Sequence, residues 1–400
     1  MVGRMIRFEL KKLYCNSVVL GSMAVLLLIS LFILQACCLN NSATSLITPD
    51  GVQLSGREAI EYNQSIASQY TGDFTDETIA KMVADFSERY PDQYEKMVRG
   101  DSISLTLPSA YIYLSMFIPP ENYDEIAQDA LEHGTTIPPL TEDGLVGLRD
   151  YGTVYVDKPL QYGYSDSWAF LFTGFCGPTI AVAFPALIVI VIAISTVFSS
   201  EYSTKMAALI LTSRYGKNRQ IFAKLIASII FTTVLIICLF LLFCIAFGIQ
   251  YGPVGWNADM QTNLGLSLLG VALPFNNLQL LLFGLGIVWI AGVFTTAATA
   301  MISSLTRSPF SSLIIAFTLF MAPWIIRQML PEGFLHDALL IFPANSVNVQ
   351  EVLISPINAQ SVFYLQPWGP ALCILGAVIV SLLLSVVIMY RAFSNHQAAG

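Results

Sequence analysis

The sequence predicts an all-α polytopic membrane protein, and three observations predict it. Of 400 residues, 55% are apolar and only 12% are charged, with a mean hydropathy of +0.65. A soluble domain carries about 25% charge. Six apolar runs are long enough to cross a hydrocarbon layer of about 30 Å, which takes about 20 helical residues. The charge is also partitioned. Residues 40–166 hold 21 acids and 7 bases, a balance of −14, while the short segments at the opposite ends of the runs hold 11 bases and 2 acids.

Residues 1–16, MVGRMIRFELKKLYCN, read as an interfacial amphipathic helix. Met5, Phe8 and Leu13 lie toward one side, and Arg4, Arg7, Lys11 and Lys12 supply the charge. Residues 17–39 form the first span. A cleavable signal competes, because the start is basic and Leu34-Gln35-Ala36-Cys37 distantly resembles a lipoprotein cleavage box. The apolar run is longer than the roughly 7–15 residues of a signal core, and glutamine fits the box poorly, so the span is read as retained.

Residues 40–168 read as an extracellular domain, acidic and mainly helical. Arg57–Tyr70 is one helix. Thr75–Tyr90 is another, with Ile79, Met82, Val83 and Phe86 as its buried stripe, Asp76 and Glu77 at its N-terminus, and Pro91 ending it. Pro120–His133 is a third. No cysteine lies in the interior of this segment, so it folds by burying apolar surface and not by disulfides. Cys37-Cys38 falls near the outer end of the first span. The tyrosine-rich stretch ending in Trp168 suits a membrane interface. The acidity reads either as a solvated surface or as an attraction for cationic substrates.

Residues 169–197 form the second span, with Gly177, Pro178 and Pro185 as kink positions. Residues 198–220 are a cytoplasmic loop, and 221–249 the third span. Residues 250–276 are a polar hairpin without lysine or arginine. The fourth span, 278–304, carries small residues at four-residue spacing, including Gly292, Thr295, Thr296 and Thr299. That spacing permits close helix packing and also suits a polar pathway. Thr306–Pro309 is an inside turn. The fifth span, 310–329, ends near Arg327. Residues 330–366 are extracellular or re-entrant, with Phe334–Phe342 as an apolar helical piece, and 368–390 form the sixth span. The hairpins 250–276 and 328–365 contain no base, whereas every segment at the other face does. By the positive-inside rule both termini are cytoplasmic and the acidic domain is outside.

Several chemistries are excluded. There is no GxxxxGK[ST] phosphate loop, no HExxH and no GxSxG, and no cysteine–histidine spacing suits a metal. No acid lies at mid-span, where ion-coupled transporters place one. Nothing suggests a nucleic-acid partner. An intramembrane enzyme is disfavoured because no nucleophile and base can be paired.

The most informative stretch is Phe198–Lys224, FSSEYSTKMAALILTSRYGKNRQIFAK, with one acid, Glu201, and five bases including Lys205, Arg214 and Lys224. Tyr202, Met206 and Leu209 share a helical face, and Glu201 precedes Lys205 by four residues, the favourable order for a helical ion pair. A cytoplasmic helix with an apolar stripe needs a lipid surface or a cytosolic partner to cover it. The plainer alternative is a basic loop that only fixes topology.

This stretch resembles the membrane-spanning permeases of ATP-binding-cassette exporters, the ABC type-2 class. The family pattern is an aromatic or small residue, a glutamate, about a dozen residues, then an arginine and a lysine entering the next span. Phe198, Glu201, Arg214 and Lys224 match it. RMIRFELKKLY, KPLQYGYSDSW and the six-span plan with a large first loop are similar too. Family members often have proline before the arginine, where this chain has Ser213.

The resemblance implies a permease subunit in the bacterial cell membrane, without catalysis or cofactor of its own. ATP and Mg would sit on a separate cytosolic ATPase, and two permeases, as copies or relatives, would pair with two ATPases. The coupling helix would begin at Glu201, anchored by its charge, with Tyr202, Lys205, Met206 and Leu209 on it. Arg214 and Lys224 would contact the ATPase or lipid phosphates, or serve only topology. The expected cargo is a peptide, drug or lipid-like molecule. The alternative is a sensor whose outer domain binds a ligand and signals to a cytosolic partner.

Overall fold

The computed structural model describes residues 2–39, 45–119, 137–151, 159–165, 168, 181–204, 206 and 219–395. The protein is an all-α polytopic membrane protein. Among the described residues, six helices are long and apolar enough to cross a membrane: Ser17–Ala36, Ala183–Ser203, Arg219–Tyr251, Asn277–Leu305, Pro309–Met329 and Gly369–Ala392. They are called spans one to six below. The chain divides into two compact units.

The membrane unit comprises Met1–Ile33, Gly174–Cys244 and Leu282–Gly400. It opens with the helix Val2–Tyr14, and Asn16 then starts span one by accepting the Val18 N–H on Oδ1 at 3.0 Å. Span one packs chiefly on span two. Span two is not one continuous helix: Ala183–Ile194 gives way to a turn before Ser199–Ser203. Span five starts with Pro309 in its first turn, where no N–H is needed, and carries Pro323 inside. The segment after it folds back as three short helices, Phe334–Leu340, Pro343–Ser346 and Val349–Ile354, the first two packed on span five. Buried polar contacts hold this segment. Arg327 pairs with Glu351 and donates from Nε to the His336 carbonyl at 3.2 Å. Asp337 accepts from Ser361 Oγ at 2.7 Å and the Val362 N–H at 2.8 Å.

The polar unit comprises Leu34–Thr173 and Ile245–Leu281. Two antiparallel pairs frame it: Leu46–Ile47 with Gln53–Leu54, and Gly72–Phe74 with Leu160–Tyr162 in the register Gly72↔Tyr162. Its helices include Arg57–Ser68, Asp76–Arg89, Pro91–Val98 and Ser109–Ile112. Thr75 caps the second by accepting the Thr78 N–H, and Pro91 opens the third. The stripe Ile79, Met82, Val83 and Phe86 is buried, with Phe86 stacked on Tyr111 at 5.1 Å between ring centroids. The helix expected over Pro120–His133 lies outside the described residues.

The hairpin after span three adds to this unit. Leu264 and Leu269 enter its core, and the Asp259 N–H donates to the Gln161 carbonyl at 2.9 Å. The pairing is returned by the Gln161 N–H, which donates to Asp259 Oδ2 at 2.7 Å. Gly255 allows the close approach: its φ is +77°, and a Cβ there would lie 1.7 Å from the Tyr164 carbonyl oxygen.

Candidate functional site

The sequence places a charge, Lys224, only five residues into span three. A cation there requires a partner, because an apolar surrounding cannot solvate it. Lys224 is fully buried, and its three N–H donors have three acceptors. Nζ lies 2.6 Å from Glu201 Oε1, 2.7 Å from the Val197 carbonyl and 3.5 Å from Glu9 Oε2. The Phe198 ring lies 5.1 Å away. Glu201 is also buried, and its Oε1 accepts a second ammonium, Lys12 Nζ, at 3.3 Å. Two carboxylates and two ammoniums thus balance within one cluster drawn from the N-terminal helix, the end of span two and the start of span three.

Span four completes the frame. The break in span two leaves backbone groups unpaired, and Ser303 satisfies them. Its Oγ accepts the Phe198 N–H at 3.0 Å and the Ser199 N–H at 3.1 Å, and donates to the Ser195 carbonyl at 2.8 Å. One turn on, Tyr202 donates its hydroxyl to the Ser304 carbonyl at 3.2 Å. Glu201 is therefore fixed from both sides of the break.

Of the stretch Phe198–Lys224, the structure brings together Glu201 and Lys224 and orients Tyr202. It leaves Met206 half exposed. Lys205, Leu209 and Arg214 lie outside the described residues. The helical pair Glu201–Lys205 expected from the sequence falls outside the described residues, and the acceptor Glu201 is paired with Lys224, a cation that has no access to water. For the same reason Lys224 is not a surface contact for lipid phosphate or another protein, contrary to the expectation from the family resemblance: it is spent inside the chain. Glu9, Lys12 and Ser303 join the site without having stood out in the sequence. For Glu9 a signal existed, a lone acid in a helix with four bases. For Ser303 the signal was its place four residues after Thr299, on the small-residue stripe of span four.

The small-residue stripe of span four divides. A Cβ on Gly292 would lie 2.6 Å from Ile236 Cδ1 and 2.9 Å from Thr232 Cγ2, and the Thr296 and Thr232 hydroxyls bond at 2.6 Å, so this edge packs tightly on span three. Thr295 and Thr299 instead line a groove of about 390 Å³ with Phe294, Phe320, Pro323 and Phe342. Thr295 donates its hydroxyl to its own helix at the Ala291 carbonyl, at 2.9 Å, leaving the groove apolar. Among the described residues, no group of three or more histidine, cysteine, aspartate or glutamate side chains could hold a metal.

A family model described as "ABC-2 family transporter protein" matches residues 7–395. The chain belongs to this family: it is a multi-pass permease of an ABC transporter, a membrane transport subunit whose family implies association with an ABC ATPase. No curated protein and no solved structure matches it.

Proposed function

We propose that this permease exports its cargo across the cell membrane, driven by a separate cytosolic ATPase that seats on the segment Phe198–Lys224. Both termini then lie in the cytoplasm and the polar unit lies outside. ATP and Mg belong to the ATPase, and two permeases, as copies or relatives, pair with two ATPases. The observation that carries the reading is the buried Glu201–Lys224 pair directly beside the basic loop. A displacement of that loop acts on span two through Glu201 and on span three through Lys224. It also acts on the N-terminal helix through Glu9 and Lys12. Glu201 anchors the coupling segment inside the permease and does not touch the ATPase. Thr295, Thr299 and the apolar groove favour a hydrophobic, lipid-like or amphipathic cargo over a hydrophilic one.

The test is to co-express the chain with its ATPase, purify through a tag on the permease and measure ATP hydrolysis. Glu201→Ala and Tyr202→Ala should keep the permease folded but reduce hydrolysis that depends on it. Parental behaviour in both variants would reject the coupling role of this segment.

A further inference from the structure

Beside the ion cluster is a cavity of about 140 Å³ with a mixed lining. Its polar wall is Glu9, Lys12 and Asn16 from the N-terminal helix and its turn, Ser200 from the end of span two, and Lys224 and Ser228 from span three, and Leu13 and Val197 give it an apolar side. Two features set it apart from a packing gap. Ser228 is fully buried and its hydroxyl has no hydrogen-bond partner, although it lines the cavity. A buried hydroxyl without a partner is costly and implies something polar opposite it. The rim is also open and cationic: the Lys12 side chain is 42% exposed, and one contact to Glu201 leaves it N–H groups to give. An amphipathic basic helix such as Val2–Tyr14 places this rim at the level of lipid head groups.

The geometry points to a binding site for the head group of a phospholipid that carries a primary amine. The choice follows from charge. The lining holds one acid, Glu9, and two bases, Lys12 and Lys224, and both bases are already met by Glu201 just outside it, so the cluster sums to zero and an anion alone would leave a net negative charge in a half-closed site. A zwitterion leaves none. Its phosphate accepts from Lys12 at the rim and from the Ser200 and Ser228 hydroxyls, and its ammonium donates to the Glu9 carboxylate. A quaternary amine has no N–H to give Glu9. The site thereby ties a lipid to the helix that braces Glu201. It stands on the cavity alone and does not depend on the direction of transport or on ATPase coupling.

The test uses the full-length permease in detergent, with phosphatidylethanolamine, phosphatidylcholine, phosphatidylglycerol or inorganic phosphate added. Bound lipid is counted by native mass spectrometry and melting is followed in parallel. Phosphatidylethanolamine should be retained best and raise the melting temperature most. Ser228→Leu, which fills the cavity without touching an ion pair, should weaken retention roughly tenfold, the worth of about one charge-assisted hydrogen bond. If Ser228→Leu fails to fold, Ser200→Leu at the rim serves the same purpose. Equal retention of all three lipids, preference for phosphatidylglycerol or inorganic phosphate, or retention unchanged in the folded variant would each overturn the proposal and leave a water-filled cavity.

Discussion

The two units bury opposite things. The polar unit is built like a small soluble domain: aromatic side chains such as Phe74, Phe86, Tyr94 and Tyr111 are inside, and the ion pairs Arg57–Glu61 and Arg99–Glu95 lie on helix surfaces. The membrane unit exposes Phe32, Phe310 and Leu383 and buries Glu9, Glu201, Lys224 and Arg327. The difference follows from solvent. In water, apolar burial drives folding. In a bilayer, lipid tails are as apolar as leucine, so association relies on packing and on polar contacts that lipid cannot replace. Specific function in the membrane unit should therefore be sought at its buried charges and not in its apolar bulk.

This contrast can be broken or sharpened by substitution. The largest effects should come from one residue in each unit. Lys224→Met leaves Glu9 and Glu201 facing each other with only Lys12 nearby, at a cost of about 3–5 kcal/mol, while Phe86→Ala should cost about 3–5 kcal/mol through its cavity. Denaturation of the purified variants should show Lys224→Met rescued in part by adding Glu201→Gln, and Phe86→Ala rescued by no charge change. Gly255→Ala comes next. The left-handed backbone alone costs about 1–2 kcal/mol, and the clash with the Tyr164 carbonyl adds to it, so the melting point of the polar unit should fall visibly.

A smaller effect is expected from alkali. Burial, then hydrogen bonding to Asp85 and Tyr111, pushes the Tyr70 hydroxyl above its ordinary value of 10.0. A group whose folded pKa is raised contributes stability that is full below its unfolded pKa and lost above it. The polar unit should therefore hold its melting point up to about pH 10 and lose it beyond. Tyr70→Phe should flatten that decline, as a pH series of melting curves would show. The smallest effect should be Arg57→Ala, an exposed helical pair worth no more than about 0.5 kcal/mol.

Much of the fold was legible in the sequence because its signals are local. The helix Asp76–Arg89 announces itself through Thr75, its acidic first turn and a stripe at helical spacing, all within about four turns. The spans announce themselves by length and composition. The site was legible only in part. Glu201 and Lys224 could be picked out by their place beside the loop, but not paired with each other, because 23 residues and a basic loop separate them. Glu9 lies 215 residues from its partner Lys224, and Ser303 lies 105 from Phe198, so nothing within either segment betrays the contact. The hairpin 250–276 looked like a bare connection because Leu264 and Leu269 are buried only through residues of the first large loop.

The central claim is that Glu201 acts within the permease, holding the coupling segment through Lys224 and not through a charge offered to the ATPase. The most direct measurement is permease-dependent ATP hydrolysis by the co-purified complex in Lys224→Met and in the double variant Lys224→Met/Glu201→Gln. The single variant should lose most of it although Glu201 remains, and the double variant, whose charge balance is restored but whose Glu201–Lys224 link is absent, should regain stability and stay uncoupled. A folded Lys224→Met variant that retains permease-dependent hydrolysis would contradict the claim.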